Sequence, residues 1–479
     1  MAQGSPGRAC PFHRSWGVKA KLAAMRAKLL QLARSARCAE TGLASARRWA
    51  HGGATCPPPS EAVRVGAGIG RVSNMVLERG EGCWVWTREG EKYLDFSTGI
   101  GVTSLGHCHP KVRAAVHEQV DKLWHGQVNI AHHAPMLELT GWLQRAMPQG
   151  SGLDTFLFVT SGSEAVEAAV KLARHATKKP NIIVFQGGYH GRTLLTMSMT
   201  SSKTIYRGGY GPHAAGIHIS PHPFYQRACA PADPVRWAMD ALKLVLLQQT
   251  TPEETAAVVI EPVLGEGGYV PHPPGLLAEL RSFCDEQGLL LVADEVQSGF
   301  GRTGRMFAVE HDAVHPDILV FAKGIASGFP LAGIASKKEL MDRQPGGSQG
   351  GTYSGNAVAC AAAKATIEVM LESGFMGHVQ ERGQQITEAL RAMQQEGVAP
   401  IRDVRGPGLM IGLEFDDERV EKGFATKVAK ACLSRGMIVL TTGIFETLRL
   451  IPPLTISAED CAHGMAVLRD ACKEVAGQA

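Results

Sequence analysis

The chain has 479 residues, 44% of them apolar and 20% charged, a balance that argues against disorder, and no apolar run approaches the roughly 18 residues a membrane helix needs. Eleven cysteines with no Cys-x-x-Cys pair fit scattered reduced thiols in a reducing compartment better than a disulfide framework or a structural zinc site. The net charge of +4 is unevenly spread, because residues 1–60 hold ten Lys/Arg against the single acid Glu40, leaving 39 basic and 44 acidic residues, a charge of −5, in the rest.

Within that basic start, Val18, Leu22, Met25, Leu29 and Leu32 recur at helical spacing, with Lys19, Lys21, Arg26, Lys28 and Arg34 around them. An Arg-rich, acid-poor amphipathic leader reads as an organelle transit peptide, the mitochondrial matrix ahead of chloroplast or cytoplasm, with a disordered arm, a nucleic-acid-binding arm or an incorrectly assigned start codon as alternatives. Cys56-Pro-Pro-Pro-Ser60 then reads as a linker, since consecutive prolines cannot continue a helix. We assign 1–62 to leader and linker, 63–115 to an N-terminal segment packing with a small domain, 116–375 to a large domain and 376–479 to that smaller C-terminal domain. Gly66-Ala-Gly-Ile-Gly70 lacks the strand–helix context of a dinucleotide loop and reads as a plain loop. His107-Cys-His109 has no second ligand cluster to complete a metal site.

From about Val63 onward, strand-like runs alternate with helical patterns, which predicts an α/β fold with a mostly parallel sheet flanked by helices. The runs Thr155–Val159, Ile182–Phe185, Ala257–Ile260, Leu289–Val292 and Ile318–Phe321 are short, apolar throughout and rich in β-branched residues, as strands buried on both faces should be. After about Met376 the chain changes to charged helices and Gly406-Pro-Gly-Leu-Met-Ile-Gly-Leu-Glu-Phe415, a smaller α+β region.

Ligands of such sheets gather at the carboxyl ends of the strands. Twenty-eight residues separate Asp294 from Lys323, and each follows an apolar run. A lysine and an aspartate so placed can hold one heterocycle from two sides, the amine through a carbon–nitrogen link and the carboxylate as partner of a pyridinium nitrogen; pyridoxal 5′-phosphate is such a heterocycle. Thr160-Ser-Gly-Ser-Glu-Ala165 opens a helix, where free N–H groups and the hydroxyls of Ser161 and Ser163 make a phosphate site; Ser161-x-x-Glu164 reads equally as a capping box. Gly187-Gly-Tyr-His-Gly-Arg-Thr193 offers an aromatic face to stack on a pyridine and a guanidinium to grip a carboxylate, or is a surface turn. Glu261-Pro-Val-Leu-Gly-Glu-Gly-Gly268 brings two carboxylates towards the same sheet edge.

These strings, in this order from about Asp95 to Leu454, resemble the class III (ω-amino acid) aminotransferases of pyridoxal-phosphate fold type I. Thr98-Gly-Ile-Gly-Val102, Ser163-Glu-Ala-Val-Glu167, Tyr189-His-Gly-Arg-Thr193 and Leu448-Arg-Leu-Ile-Pro-Pro-Leu454 are most similar to the branch acting on 4-aminobutyrate. The resemblance implies that Lys323 carries the cofactor and moves the proton, and that Asp294 partners the ring nitrogen. It implies further that Gln297 bonds the ring hydroxyl, that Val296 packs under the ring and Tyr189 over it, and that Gly162 and Ser163 hold the phosphate beside Ser161. Thr352, in Gly351-Thr-Tyr-Ser-Gly-Asn356, would reach across from a second subunit, which implies a homodimer with shared sites.

For substrate, the resemblance implies that Ile100 borders the pocket, that Arg192 takes a distal carboxylate and Arg449 an α-carboxylate, and that Glu266 covers Arg449 when the donor has no α-carboxylate; Glu261 lies near the ring without a stated role. Leu264 stands where many relatives carry glutamine, and Gly101 where alanine is common. The reaction implied is amino transfer from an ω-amino acid, 4-aminobutyrate first, to 2-oxoglutarate, giving succinic semialdehyde and glutamate. The alternatives are another donor or acceptor (acetylornithine, ornithine, β-alanine; pyruvate or glyoxylate) or a non-catalytic protein on the same scaffold.

Overall fold

A computed structural model describes Gly66 and residues 68–477. The expected leader and linker over 1–62, including the Val18–Leu32 spacing, lie outside the described residues. Ile69 N–H donates to the Gly66 carbonyl at 3.1 Å, closing the glycine-rich stretch into a turn.

The chain from Met75 onward forms one compact unit. It opens with an antiparallel meander, β1 (Leu77–Glu81), β2 (Trp84–Thr87) and β3 (Lys92–Asp95), which the sequence runs did not single out. Helices α1 (Pro110–Val120) and α2 (Ala134–Ala146) follow, each with proline in its first turn, where the missing N–H costs nothing.

The centre is a seven-stranded sheet of β4 (Thr155–Val159), β5 (Asn181–Phe185), β6 (Ile217–Ser220), β7 (Thr255–Ile260), β8 (Leu290–Asp294), β9 (Ile318–Phe321) and β10 (Ala332–Ser336), in the order β4-β10-β9-β8-β7-β5-β6. Neighbours from β9 to β6 run parallel, and β10 alone runs against its two neighbours. Residues alternate between faces. Val184, Ala257, Val259, Val292 and Val320 meet α3 (Gly162–Thr177), while Ile183, Phe185, Val258, Ile260 and Leu291 meet α4 (Pro234–Gln248) and α5 (Leu276–Gln287). A period of two with both faces covered is why these runs are apolar without interruption, each buried Val, Ile or Leu contributing about 1.5–3 kcal/mol.

The four expected runs at 155–159, 182–185, 257–260 and 318–321 fall in strands; the fifth is shifted, from 289–292 to Leu290–Asp294, so Asp294 is itself the last strand residue. The sequence Ala-Gly-Ile-Ala-Ser of β10 has little strand propensity and was not foreseen. Gly333 explains its place: a Cβ there would lie 2.4 Å from the Leu157 carbonyl oxygen and 2.7 Å from the Phe321 ring, so only glycine lets these strands close up.

After α6 (Ala357–Met370) and α7 (Phe375–Gln395) comes a four-stranded antiparallel sheet. Its strands are β11 (Ile401–Arg405), β12 (Ile411–Phe415), β14 (Leu440–Thr442) and β15 (Thr447–Leu450), flanked by α8 (Phe424–Leu433) and α9 (Ala458–Val475). Between them, β13 (Met437–Ile438) pairs in parallel with β3, joining the start of the unit to its end.

The loop after β8 is tied to the segments just before β12 and just after β15. Arg302, fully buried, donates to the carbonyls of Leu409 at 3.1 Å and Pro452 at 2.6 Å. Gly408 has φ +57°, and a Cβ on it would lie 2.4 Å from the carbonyl carbon of Thr303; one on Gly383 of α7 would lie 2.2 Å from the Gly408 oxygen. Gly408→Ala and Gly383→Val should each lower the unfolding free energy by about 2–4 kcal/mol. Gly377→Ala, on an open face of the same helix, should change it by less than about 1 kcal/mol in parallel denaturant titrations.

Candidate active site

The register of two strands sets the site. Asp294 of β8 lies opposite Val320 of β9, and the chain runs three residues further to Lys323, so amine and carboxylate stand at the same carboxyl edge. Lys323 adopts φ +43°, an uncommon, strained conformation for a residue with a side chain, and opens the short 3₁₀ turn Lys323–Ala326. The loops after β4, β5 and β7 reach the same edge. Together they enclose a cavity of about 400 Å³ whose walls include Ser161, Gly162, Ser163, Tyr189, Glu261, Asp294, Val296, Gln297 and Lys323.

Asp294 is buried, with Oδ1 accepting the Val296 N–H at 3.1 Å and Oδ2 paired with His190 Nδ1 at 2.7 Å. Burial by itself would lower the His190 pKa; the hydrogen bond and charge of Asp294, with the charge of Glu261, outweigh it and raise it. His190 lies within the Gly187–Thr193 string but carries no role recognisable from sequence: that a residue beside Tyr189 turns inward to Asp294, 104 positions away, leaves no local signal.

Glu261 accepts the Tyr189 N–H at 2.7 Å and the Gly265 N–H at 3.0 Å, and burial pushes its carboxyl up to about 7, His190 opposing and Asp294 assisting. Its backbone carbonyl is held as well. The Phe224 N–H donates to His222 Nδ1 at 3.2 Å, His222 Nε2 meets His272 Nδ1 at 2.9 Å, and His272 Nε2 meets the Glu261 carbonyl at 2.7 Å. The end of this chain fixes both tautomers, each ring accepting at Nδ1 and donating from Nε2, and burial keeps both imidazoles neutral by lowering their pKa values. Neither histidine stood out in the sequence.

At the start of α3, Ser161 Oγ accepts the Glu164 N–H at 3.3 Å, and the Glu164 carboxylate accepts the Thr160 N–H at 3.0 Å. The capping reading holds and leaves room for the other: Ser161 caps while also lining the cavity, and the first N–H groups of the helix, free of partners within it, are the kind that bind a phosphate. Gly191 packs so tightly there that a Cβ would lie 2.2 Å from Ser163 Oγ.

Two observations fit this cavity to a phosphate-bearing pyridine. Gln297 Oε1 is buried without a hydrogen-bond partner, an acceptor waiting for a donor such as a ring hydroxyl. Gly162 leaves the cradle open, since a Cβ on it would lie 2.9 Å from Val296 Cγ1. The Lys323 amine, whose pKa burial lowers against the opposing charges of Glu266 and Glu261, is disposed to lose its proton and act as a nucleophile.

The remaining candidates lie outside the cavity lining. Glu266 and Arg449 form a buried ion pair, Glu266 also accepting the Tyr206 hydroxyl at 3.1 Å. Burial would raise the Glu266 pKa, and Arg449 more than offsets this to lower it. Arg192 is exposed, its guanidinium 5.1 Å from the Tyr206 ring centre and 6.0 Å from that of Tyr189. Ile100 is exposed and held at φ +67°, a rare conformation for a β-branched side chain. Thr352 is exposed on its loop. Of the two departures from the family pattern, Leu264 is fully buried, paired with Val270. Gly101 has φ +79°, a conformation strained for any side chain, and an alanine Cβ there would sit 2.9 Å from the end of the Ile451 side chain, which would have to shift.

Comparisons with known proteins agree with this chemistry. The family model described as Aminotransferase class-III matches residues 68–472. The chain is 39% identical over 406 residues to the 4-aminobutyrate aminotransferase GabT of Escherichia coli (strain K12), covering 84% of this chain and 94% of that one. It is 38% identical over 414 residues to the 5-aminovalerate aminotransferase DavT of Pseudomonas aeruginosa, covering 85% and 96%. Among solved structures, the ornithine aminotransferase of Toxoplasma gondii, with partial occupancy of PLP at its active site, superposes with a TM-score of 0.74 at 29% identity, covering 84% of this chain and 91% of that one.

The His190–Asp294 pair gives a pH test. A folded-state pKa raised above the ordinary 6.5 means that the charged pair stabilises the fold fully below about pH 6.5, and that this contribution fades as pH rises through the higher folded value. The stability gap between wild type and His190→Gln should therefore be wider at about pH 6 than at about pH 9 in denaturant titrations.

Proposed function

This chain belongs to the class III aminotransferases, enzymes dependent on pyridoxal phosphate, and from that premise we propose that it moves the amino group of 4-aminobutyrate to 2-oxoglutarate, producing succinic semialdehyde and glutamate. When bound, pyridoxal phosphate supplies an electron sink for the carbon that bears the amine. Lys323 would carry the cofactor and move the proton at that carbon, burial lowering the pKa of its amine and so favouring its basic form. Asp294, oriented by His190 and the Val296 N–H, would partner the ring nitrogen. The Gly162 and Ser163 N–H groups would hold the phosphate, Gln297, whose Oε1 has no partner, would take the ring hydroxyl, and Val296 and Tyr189 would pack against the ring.

The observation that carries the donor assignment is the closed Glu266–Arg449 pair. A buried guanidinium left alone costs several kcal/mol, so a donor with no α-carboxylate needs Glu266 over Arg449, and glutamate needs it displaced. Arg192, over the tyrosine rings, is the anchor for the carboxylate that both substrates share. The relatives named for 4-aminobutyrate and 5-aminovalerate differ in substrate by one methylene, a difference worth roughly 10–200-fold in discrimination. Thr352, exposed on its loop, supports a homodimer in which it completes the partner's phosphate site. The basic composition of residues 1–60 supports import into the mitochondrial matrix.

Steady-state rates with a donor panel and with 2-oxoglutarate and pyruvate as acceptors decide the assignment. We expect kcat/KM for 4-aminobutyrate with 2-oxoglutarate to exceed that for 5-aminovalerate, β-alanine, ornithine and acetylornithine; a preference for acetylornithine overturns it. Glu266→Gln should lower kcat/KM for 4-aminobutyrate about 100-fold or more, as expected when the partner of a buried charge is removed, and that for glutamate by less than about tenfold.

A further inference from the structure

Tyr206 has no role in the assignments above, yet it touches both arginine sites. It ends the short turn Thr204–Tyr206, which is tied down by the Gly208 N–H on the Thr204 carbonyl at 2.7 Å and by Arg207 Nη1 on the Thr200 carbonyl at 3.2 Å. Its ring meets Tyr189 edge-to-face, with centroids 5.1 Å apart and planes at 73°, and lies 5.1 Å from the Arg192 guanidinium. Its hydroxyl donates to Glu266 Oε2 at 3.1 Å while Arg449 engages Oε1. Among the described residues, Tyr206 and Arg449 are the two side chains seen donating to this carboxylate.

The two donors differ in what a substrate does to them. A carboxylate arriving at Arg449 competes for the guanidinium and frees Oε1, but it has no claim on a phenol fixed to a different loop. Burial, then the charge of Glu266, pushes the Tyr206 hydroxyl up to about 12, so it keeps its proton and remains a donor throughout the neutral range. With the Tyr206 bond intact, Glu266 can leave Arg449 without becoming a buried carboxylate bare of hydrogen bonds. Without it, the closed state keeps its ion pair and the displaced state loses its remaining anchor.

We infer that Tyr206 is a specificity-determining residue, the tether that holds Glu266 when a dicarboxylate displaces it from Arg449, and thereby favours the dicarboxylate half of the reaction over the ω-amino half. This rests on the two-arginine reading of the substrate site above. The ring adds a second effect, setting the face beneath Arg192, which removal of the hydroxyl alone leaves in place.

The variant is Tyr206→Phe, which keeps the ring and removes only the oxygen, and the protein is the holoenzyme. Two measurements apply: single-turnover rates with glutamate and with 4-aminobutyrate, and calorimetric binding of two unreactive probes, glutarate with two carboxylates and butyrate with one. We expect kcat/KM for glutamate and affinity for glutarate to fall about tenfold or more, the scale of a lost hydrogen bond to a charged group, with 4-aminobutyrate and butyrate changed by less than about threefold. In a Glu266→Gln background, the Tyr206→Phe effect on glutarate should disappear, as required of residues acting as a pair.

Equal changes for mono- and dicarboxylates, no change for either, or an effect that persists without Glu266 each overturn the inference. If the wild type transaminates neither donor while Tyr206→Phe still loses glutarate affinity selectively, the functional reading falls and the tether stands.

Discussion

The pairing of β8 with β9 is the constraint on which the site depends. Both strands are buried on two faces, so a slip of one residue would exchange the side chains packed into the two cores on either side of the sheet, each shaped for its own set. Fixing the register puts Asp294 at the end of one strand and Lys323 just past the end of the next, on backbone that cannot drift. The cost is local: φ +43° at Lys323, accepted because the surrounding sheet overdetermines it.

Around that edge, charge is held in a dry environment by pairing. Asp294 has His190, Glu266 has Arg449 and Tyr206, and Glu261 has two N–H donors with a histidine relay behind its carbonyl. Lys323 is the exception, its amine pushed towards the neutral form by burial. Such a balance suits the reaction proposed above, in which a lysine alternates between binding a cofactor and carrying a proton and an arginine meets a substrate carboxylate in one half-reaction only. Removing one partner of a buried pair leaves a bare charge, so these groups act together and not singly.

The parts legible in the sequence were those set by short-range pattern. Uninterrupted apolar runs marked strands buried on both faces, and Asp294 and Lys323 were readable because they ended two of them. Ser161-x-x-Glu164 was readable as a helix start. Unread were features whose cause lies far along the chain: β10, a strand because Gly333 lets Leu157 and Phe321 approach; His190, which turns to Asp294; and the pair His222 and His272, fifty residues apart. Gly101 shows the same limit, since its departure from the family's alanine is explained by a positive φ and by Ile451, 350 residues away.

The central claim is a covalent link between pyridoxal phosphate and Lys323 at the edge Asp294 shares. Borohydride reduction of the purified protein, followed by mass spectrometry of its peptides, tests this most directly. The account predicts a visible chromophore that disappears on reduction and a pyridoxyl mass increment on Lys323. A colourless protein after incubation with the cofactor, or an increment confined to another lysine, would contradict it.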